Sequence, residues 1–173
     1  EVERIAERTR DNVARLLSLL RKNRRLFVDG RLEESVRGQE RFADRAEELG
    51  SLILGRIFGA WKYTSLLYLG RVEEALAASS HELALRAPAA PAICMVHVGR
   101  HLEAQKALHE LLQAVENETG AGETRLMQIS LMLELAVTLT DRDAAAALSP
   151  MLEGLEGYAP LHFGSSFGRI LGG

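Results

Sequence analysis

The chain has 173 residues, of which 47% are apolar and 26% are charged, and its formal net charge is −3. This is the composition of a soluble globular protein long enough to bury a core, and the small net charge gives no general preference for nucleic acid or an anionic membrane. Cys94 is the single cysteine, which excludes an internal disulfide. Because no apolar run is long enough to span a bilayer either, we expect a cytoplasmic protein.

The first part of the chain predicts three helices separated by glycines. Residues 2–27 carry an apolar stripe with helical spacing and end before Gly30, and residues 32–49 form a second amphipathic helix that ends at Gly50. The third predicted helix, residues 51–69, is apolar on nearly all sides. A helix without a polar face is normally covered on both sides, so we expect this helix to be the most buried element.

The second part of the chain continues with less regular helical segments. They are residues 71–86, 92–98, 100–118, 123–140 and an eighth segment that begins near residue 143. Prolines break the helical pattern at residues 87–91. The segment at residues 92–98 is too short to form a full partner helix, so we expect either a shortened helix or residues that are absent from the chain. Pro150 should kink or split the eighth helix. No strand-like alternation occurs, so the sequence predicts an all-α fold.

A short turn-and-helix pattern recurs along the chain. Residues 30–35 (GRLEES) return as 70–75 (GRVEEA), less clearly as 99–104 (GRHLEA), and more distantly as 141–146 (DRDAAA). The glycine can adopt φ > 0 and end one helix, the glutamates face the positive end of the next helix dipole, and the small residue allows a close helix contact. The pattern therefore predicts about four stacked antiparallel helical hairpins, with Ala75 and Ala104 at close contacts.

The stretches 25–35 and 67–75, with weaker support from residues 98–107, resemble the tetratricopeptide-like repeats of large bacterial signalling and transcription-regulator proteins. Those proteins join an AAA-type ATPase to a helical-repeat region, and many add a LuxR-type or a class III adenylate/guanylate cyclase domain. The resemblance implies a right-handed α-solenoid that acts as an interaction or sensor platform, and it transfers no binding residue to this chain. We expect a piece of a longer protein, with one repeat domain at residues 1–158 and a truncated next repeat in the Gly/Ser-rich tail, residues 159–173.

Two patterns could indicate chemistry, and neither is complete. The loop from Gly164 to Gly168 matches the G-x-S-x-G nucleophile elbow, but no acid or histidine follows it. Cys94, His97 and His101 provide three of the four ligands of a structural zinc site, and a predicted turn interrupts their shared helix face. The sequence therefore predicts no catalytic residue, no cofactor and no metal.

Six residues form the candidate interaction surface. They are Arg21, Lys22, Arg24 and Arg25 of a basic run, together with Trp61 and Tyr63. The basic run could meet phosphates, but acidic residues of the following helix (Glu33, Glu34, Glu40 and Asp44) should balance it, and no aromatic residues interleave for base stacking. The two aromatic residues could mark a groove, although core packing suits Trp61 better.

The sequence thus favours a non-enzymatic helical-repeat interaction or sensor module, binding a protein segment, a neighbouring domain of the same chain or a small effector. The alternatives are a fragment of a hydrolytic enzyme that uses the loop at residues 164–168, and a nucleic-acid binder that uses the basic face. We expect no membrane contact. We also expect an exposed apolar face on the seventh and eighth helices, which the tail, a second copy in a homodimer or the next repeat would cover.

Overall fold

The computed structural model of the chain describes residues 12–80, 87–117 and 123–153. These residues are helical apart from the connecting turns and contain no strand, so the all-α class is confirmed for this part of the chain. The helices are α1 (Asn12–Val28), α2 (Leu32–Glu48), α3 (Leu52–Ala60), α4 (Lys62–Tyr68), α5 (Val72–Ser79), α6 (Ala89–His97), α7 (His101–Asn117), α8 (Glu123–Thr138) and α9 (Arg142–Leu148), which a 3₁₀ turn (Ser149–Leu152) follows.

The helices belong to two compact units, residues 1–78 and residues 79–173. In the first unit, α1, α3 and α4 each pack against α2. In the second unit, α6, α7 and α9 each pack against α8, and α6 also packs against α7. The predicted boundary between the repeat domain and the tail lies outside the described residues and stays a prediction.

The repeated glycines end helices in the way that the sequence predicts. Gly30, Gly70 and Gly99 have φ values of +74°, +73° and +82°. At Gly30 the backbone N–H donates to the carbonyl of Phe27 (3.0 Å), and the next N–H, that of Arg31, donates to the carbonyl of Leu26 (2.9 Å). Gly70 and Gly99, each with the arginine that follows it, make the same two bonds. This is the Schellman motif, which satisfies the last carbonyls of a helix and turns the chain.

The fourth copy of the pattern is shifted by one residue from the predicted alignment. The residue with positive φ is Thr140 (+57°), and the N–H of Asp141 donates to the carbonyl of Ala136 (2.9 Å). Thr140 therefore corresponds to Gly30, and the alignment of residues 141–146 with residues 30–35 is wrong. Threonine rarely adopts positive φ, which explains why the sequence alone did not identify it as the turn residue.

An arginine–glutamate pair closes each of the three glycine turns. The pairs are Arg31–Glu34, Arg71–Glu74 and Arg100–Glu103, each joined by an Nε–Oε1 bond of 2.7 Å and an Nη2–Oε2 bond of 2.6 Å. The hydrogen bond from arginine lowers the pKa of each of these glutamates. The spacing G-R-x-x-E is present in the sequence. From the sequence alone, however, the glutamates were predicted only to interact with the helix dipole, not to pair with the arginines.

The small residues that follow these turns are buried, as predicted. Ala75 and Ala104 are fully buried, and Ser35 at the equivalent position of the first copy is buried as well. The hydroxyl of Ser65 on α4 donates a hydrogen bond of 3.1 Å to the hydroxyl of Ser35 on α2. A larger side chain at any of these positions would have to displace its neighbours.

The third predicted helix differs from its prediction in two respects. It divides at Trp61 into α3 and α4, because the Trp61 N–H bonds to the carbonyl of Phe58, three residues back, which tightens the turn. Its first part is not the most buried element, since Leu52, Ile53 and Leu54 are exposed. Gly55 and Gly59 face α2 instead, so the backbone of α3 lies close to that helix.

The most buried helices belong to the second unit. Almost every residue of α6 is buried, and the large apolar side chains of α8 from Ile129 to Leu135 are buried as well. Helix α6 begins earlier than the segment predicted at residues 92–98, because Pro91 in its first turn leaves the helix intact. Pro150 has the predicted effect on the last helix, which changes at Ser149 from α to 3₁₀ geometry.

Candidate interaction surface

The two aromatic residues proposed from the sequence lie in the core of the first unit. Trp61 is 7% exposed and Tyr63 is 2% exposed, and their ring centroids are 5.8 Å apart. The Thr64 hydroxyl donates to the Trp61 carbonyl (3.0 Å), which helps to hold the junction between α3 and α4. Because so little of either ring reaches the surface, the proposal that they line an interaction surface is corrected, whereas core packing of Trp61 is confirmed.

The basic run lies on α1, mostly on its exposed side. Arg21, Lys22 and Arg25 are exposed and Arg24 is partly buried. Arg25 donates from Nε to both carboxylate oxygens of Asp29, at 3.0 and 3.1 Å, within the same turn of chain. The four cations therefore remain a candidate surface, and Arg25 at its end pairs with Asp29.

The acidic residues of α2 that should balance this run include two with other partners. Glu34 pairs with Arg31, and Glu40 accepts a hydrogen bond of 3.1 Å from Lys62 of α4. Helix α1 itself contains five cations (Arg15, Arg21, Lys22, Arg24 and Arg25) and no acidic residue. Five cations of the first unit are therefore concentrated on a single helix, α1.

Three exposed apolar side chains accompany these cations. Val13, Leu17 and Val28 are 56%, 52% and 69% exposed, although α1 also supplies Leu16, Leu19 and Leu20 to the core of the unit. Helix α1 thus has apolar residues on its outer as well as its inner side. The apolar stripe predicted for residues 2–27 does not indicate which of its residues face outward, because periodicity alone cannot divide a stripe this wide into an inner and an outer side.

A buried asparagine fixes the orientation of this helix. Asn23 lies between the cations in sequence but is 3% exposed. A Cβ placed on Gly38 of α2 would lie 1.8 Å from Asn23 Oδ1, so only glycine leaves room for this amide. Within residues 12–80, 87–117 and 123–153, Asn23 Oδ1 has no hydrogen-bond partner. Since Asn23 faces α2, the neighbouring arginines and lysine are turned away from it.

A second exposed apolar region lies on α3. Ile53 is 67% exposed, and Leu52 and Leu54 are exposed beside it. The charged residue nearest to them on the helix, Arg56, is exposed as well. This region differs from the outer face of α1 in having few charges.

The residues of the metal-like pattern differ in their surroundings. Cys94 is fully buried, whereas His97 and His101 are exposed. In the described parts of the chain, no three His, Cys, Asp or Glu side chains come close enough together to hold a metal ion. Burial raises the pKa of the Cys94 thiol to about 11, although the Ser79 hydroxyl donates to its sulfur at 3.5 Å. This thiol is therefore neutral at physiological pH, and a neutral thiol is a weak nucleophile.

A shallow depression of about 460 Å³ lies along the outer face of α7. Leu102, Gln105 and His109 are among its lining residues, and Leu102 is 83% exposed. At the edge of this face, His109 Nε2 lies 3.3 Å from Asp141 Oδ2, which links α7 to the start of α9. The depression is open, and it has no enclosed volume in which a small molecule would be desolvated.

The remaining predicted features are only partly visible. The loop at residues 164–168 and the tail lie outside the described residues. On α8 and the turn after α9, the large apolar side chains that are exposed are Val137 and Met151. Whether the tail or a second copy covers the rest of that face stays a prediction.

Comparisons with known proteins identified no relative of this chain. Searches against models of protein families, against curated proteins and against solved structures found no match. Among the helices that the structure describes, none is both long enough and apolar enough to cross a membrane.

Proposed function

We propose that this chain is a non-catalytic helical-repeat module of a larger regulatory protein, and that it binds a protein segment or a neighbouring domain. The observation that supports this most strongly is the turn repeated at Gly30, Gly70 and Gly99. Each copy has nearly the same φ, the same two backbone bonds, the same arginine–glutamate pair and a buried small residue five positions on. Repetition in this detail is typical of stacked helical hairpins.

The finer architecture that we propose is a right-handed α-solenoid. The packing of α1 with α2, of α6 with α7 and of α8 with α9 provides pairs of the kind that such a stack contains. The packing of α6 against α8 brings together the first helices of two successive pairs, which is how neighbouring hairpins meet in a solenoid. Solenoids present long surfaces, and such surfaces suit extended or helical partners.

A cross-linking experiment tests the proposed function. A photo-reactive amino acid is introduced at Leu17 of α1, at Ile53 of α3 or at Leu102 of α7, all exposed, with Arg37 on α2 as the control position. The module should form an adduct with one discrete protein segment from at least one of the apolar positions and not from Arg37. The purified segment should then bind the purified chain with a negative heat-capacity change, because apolar surface is buried.

Two results would contradict the proposal. One is cross-linking that is equal at all four positions, which would indicate random collision. The other is turnover of ester or amide substrates by the purified chain, abolished by Ser166→Ala, which would favour the hydrolytic alternative.

A further inference from the structure

We propose that the outer face of α1 is a docking surface for an acidic amphipathic helix of a protein partner. The inference rests on the proposed function, because it identifies which surface of the module binds and what chemistry the partner has. Exposed apolar side chains and a one-sided concentration of positive charge occur together on this helix, and on no other helix in residues 12–80.

Five residues of α1, four of them exposed and one (Arg24) partly buried, form a row along one side of the helix. At about 100° per residue, Val13, Leu17, Arg21, Arg24 and Val28 fall within an arc of about 80°. The three apolar members of this row are all more than half exposed. A row with this spacing forms the ridge that a second helix needs for packing. At about 1.5 Å per residue, the 17 residues of α1 offer a ridge roughly 25 Å long.

Positive charge lies within the row and on one side of it. Arg21 is within the row, and Lys22 and Arg25 are exposed over roughly the next 100° of the helix. Asp29 pairs with Arg25, and no acidic residue occurs within α1 itself. A helix that packs on this ridge would therefore place its flanking residues against cations, and acidic residues there would be favoured over basic ones.

The nature of the exposed apolar residues favours a protein helix over the other anionic partners. Val13, Leu17 and Val28 lie at positions i, i+4 and i+15 on one side of α1, and aliphatic side chains in such a row suit helix–helix packing. Binding to single-stranded nucleic acid uses a succession of exposed aromatic rings on which bases stack. The aromatic residue of α1, Phe27, is partly buried and packs edge-on against Tyr68, with centroids 5.7 Å apart, and Tyr68 is a single exposed ring at 56% exposure. Insertion into a membrane surface uses a broad apolar face rich in tryptophan, phenylalanine and leucine, whereas the exposed apolar residues of α1 are two valines and one leucine.

The test uses the whole chain and a phage-displayed library of helix-forming peptides. Enriched peptides are synthesised, and their dissociation constants are measured by fluorescence anisotropy for the unaltered chain and for Arg21→Glu and Leu17→Ser. Two matched controls change the same kinds of residue elsewhere in the first unit: Arg37→Glu on α2 and Ile53→Ser on α3, both at exposed positions. Circular dichroism confirms that each variant is folded.

The expected result has three parts. The enriched peptides are acidic, with apolar residues at i, i+3 or i+4 and i+7. Arg21→Glu and Leu17→Ser each weaken their binding by about tenfold or more, whereas the controls change it by less than about twofold. Binding by the unaltered chain weakens as salt is added, because exposed charges contribute.

Other results overturn the inference in distinguishable ways. If enriched peptides bind but lose affinity only with Ile53→Ser, the docking surface is α3, and the proposed function stands without the inference. If phosphatidylserine vesicles or a DNA duplex bind and Arg21→Glu abolishes that binding while peptides fail to bind, the partner is a lipid or a nucleic acid. If neither peptides nor these anionic probes bind, the inference fails, and the cross-linking experiment alone decides the proposed function.

Discussion

Helices α3 and α6 have the same length and similar apolar composition, but they are buried to very different extents. Each has nine residues. In α3 the buried residues are Gly55 and Gly59, while Ile53 and its neighbours are exposed. In α6 the buried residues are Ala89, Ala90, Pro91, Ala92, Ile93, Cys94 and Val96. The comparison teaches that apolar composition shows that a helix can be buried, but not which of its sides is covered.

The reason lies in the distance between neighbouring backbones. A Cβ on Gly55 would lie 2.9 Å from the carbonyl oxygen of Ala43 and 3.0 Å from the Cβ of Ala46, and a Cβ on Gly59 would lie 2.9 Å from the Cβ of Ala43. Helix α3 thus approaches α2 through its backbone, which leaves no room for large side chains between them. The leucines and isoleucines of α3 must then lie on its other sides.

The largest expected effect contrasts one isoleucine from each helix. Ile93→Ala on α6 should lower the free energy of unfolding by about 2–5 kcal/mol, because a buried side chain is lost and a cavity remains. Ile53→Ala on α3 should change it by no more than about 0.5 kcal/mol, because the side chain is exposed. Urea titrations of both variants measure these values. Equal losses would show that α3 is covered in solution and would remove the contrast.

The next effect tests the backbone contact of α3 directly. Gly59→Ala should overpack the contact at a cost of about 1–3 kcal/mol, which the better helix propensity of alanine reduces by up to about 1 kcal/mol. Combining it with Ala43→Gly removes the opposing Cβ, so the double variant should be more stable than the sum of the two single changes predicts. Urea titrations of the four proteins in this cycle give the coupling. Strict additivity would mean that the two helices do not touch at this point.

A smaller effect concerns the start of a helix. Helix α3 begins after Ser51, whose side chain makes no capping bond, whereas Asp141 Oδ1 accepts a hydrogen bond of 3.1 Å from the N–H of Ala144 at the start of α9. Asp141→Ala should therefore cost about 1 kcal/mol, and Asp141→Asn much less because asparagine also caps helices. Ser51→Ala is the control and should have almost no effect. Thermal unfolding at neutral pH compares the three variants.

The same aspartate should make stability depend on pH. The hydrogen bond from Ala144, and then that from His109, lower the pKa of Asp141 below its ordinary value of 3.8. A carboxyl group with a lowered folded-state pKa stabilises the fold at pH above its unfolded value, and this contribution is lost as the pH falls through the folded value. Thermal unfolding between neutral pH and pH 2 should show a shallower acid loss for Asp141→Asn. An unchanged acid profile would show that the cap does not depend on charge.

The smallest effect concerns the exposed pairs that close the repeated turns. Glu74→Gln removes the bidentate partner of Arg71, whereas Glu73→Gln changes an exposed glutamate in the same first turn and serves as the control. Glu74→Gln should lower the melting temperature slightly more than Glu73→Gln, and the difference should vanish at high salt. A larger effect of Glu73→Gln would assign the stabilisation to the helix dipole.

The candidate site was predictable only in part. The basic run of α1 was visible in the sequence, because four cations within five residues need no fold to be noticed. The exposure of Leu17 and the burial of Asn23 were not predictable, because they depend on how α1 is rotated against Gly38 of α2. Tyr63 was proposed as a surface residue although it lies in the core, because its burial depends on how α4 packs against α2.

The sequence by itself determined the features that depend on neighbouring residues in the chain. These include the helical class, the turns at Gly30, Gly70 and Gly99, and the change of helix type near Pro150, because backbone conformation and local hydrogen bonds decide them. The tertiary structure alone decided that α3 presents Gly55 and Gly59 to α2 and that α6 is buried on nearly all sides. Those outcomes depend on how closely two packed helices can approach each other, which is set by the shapes of both partners.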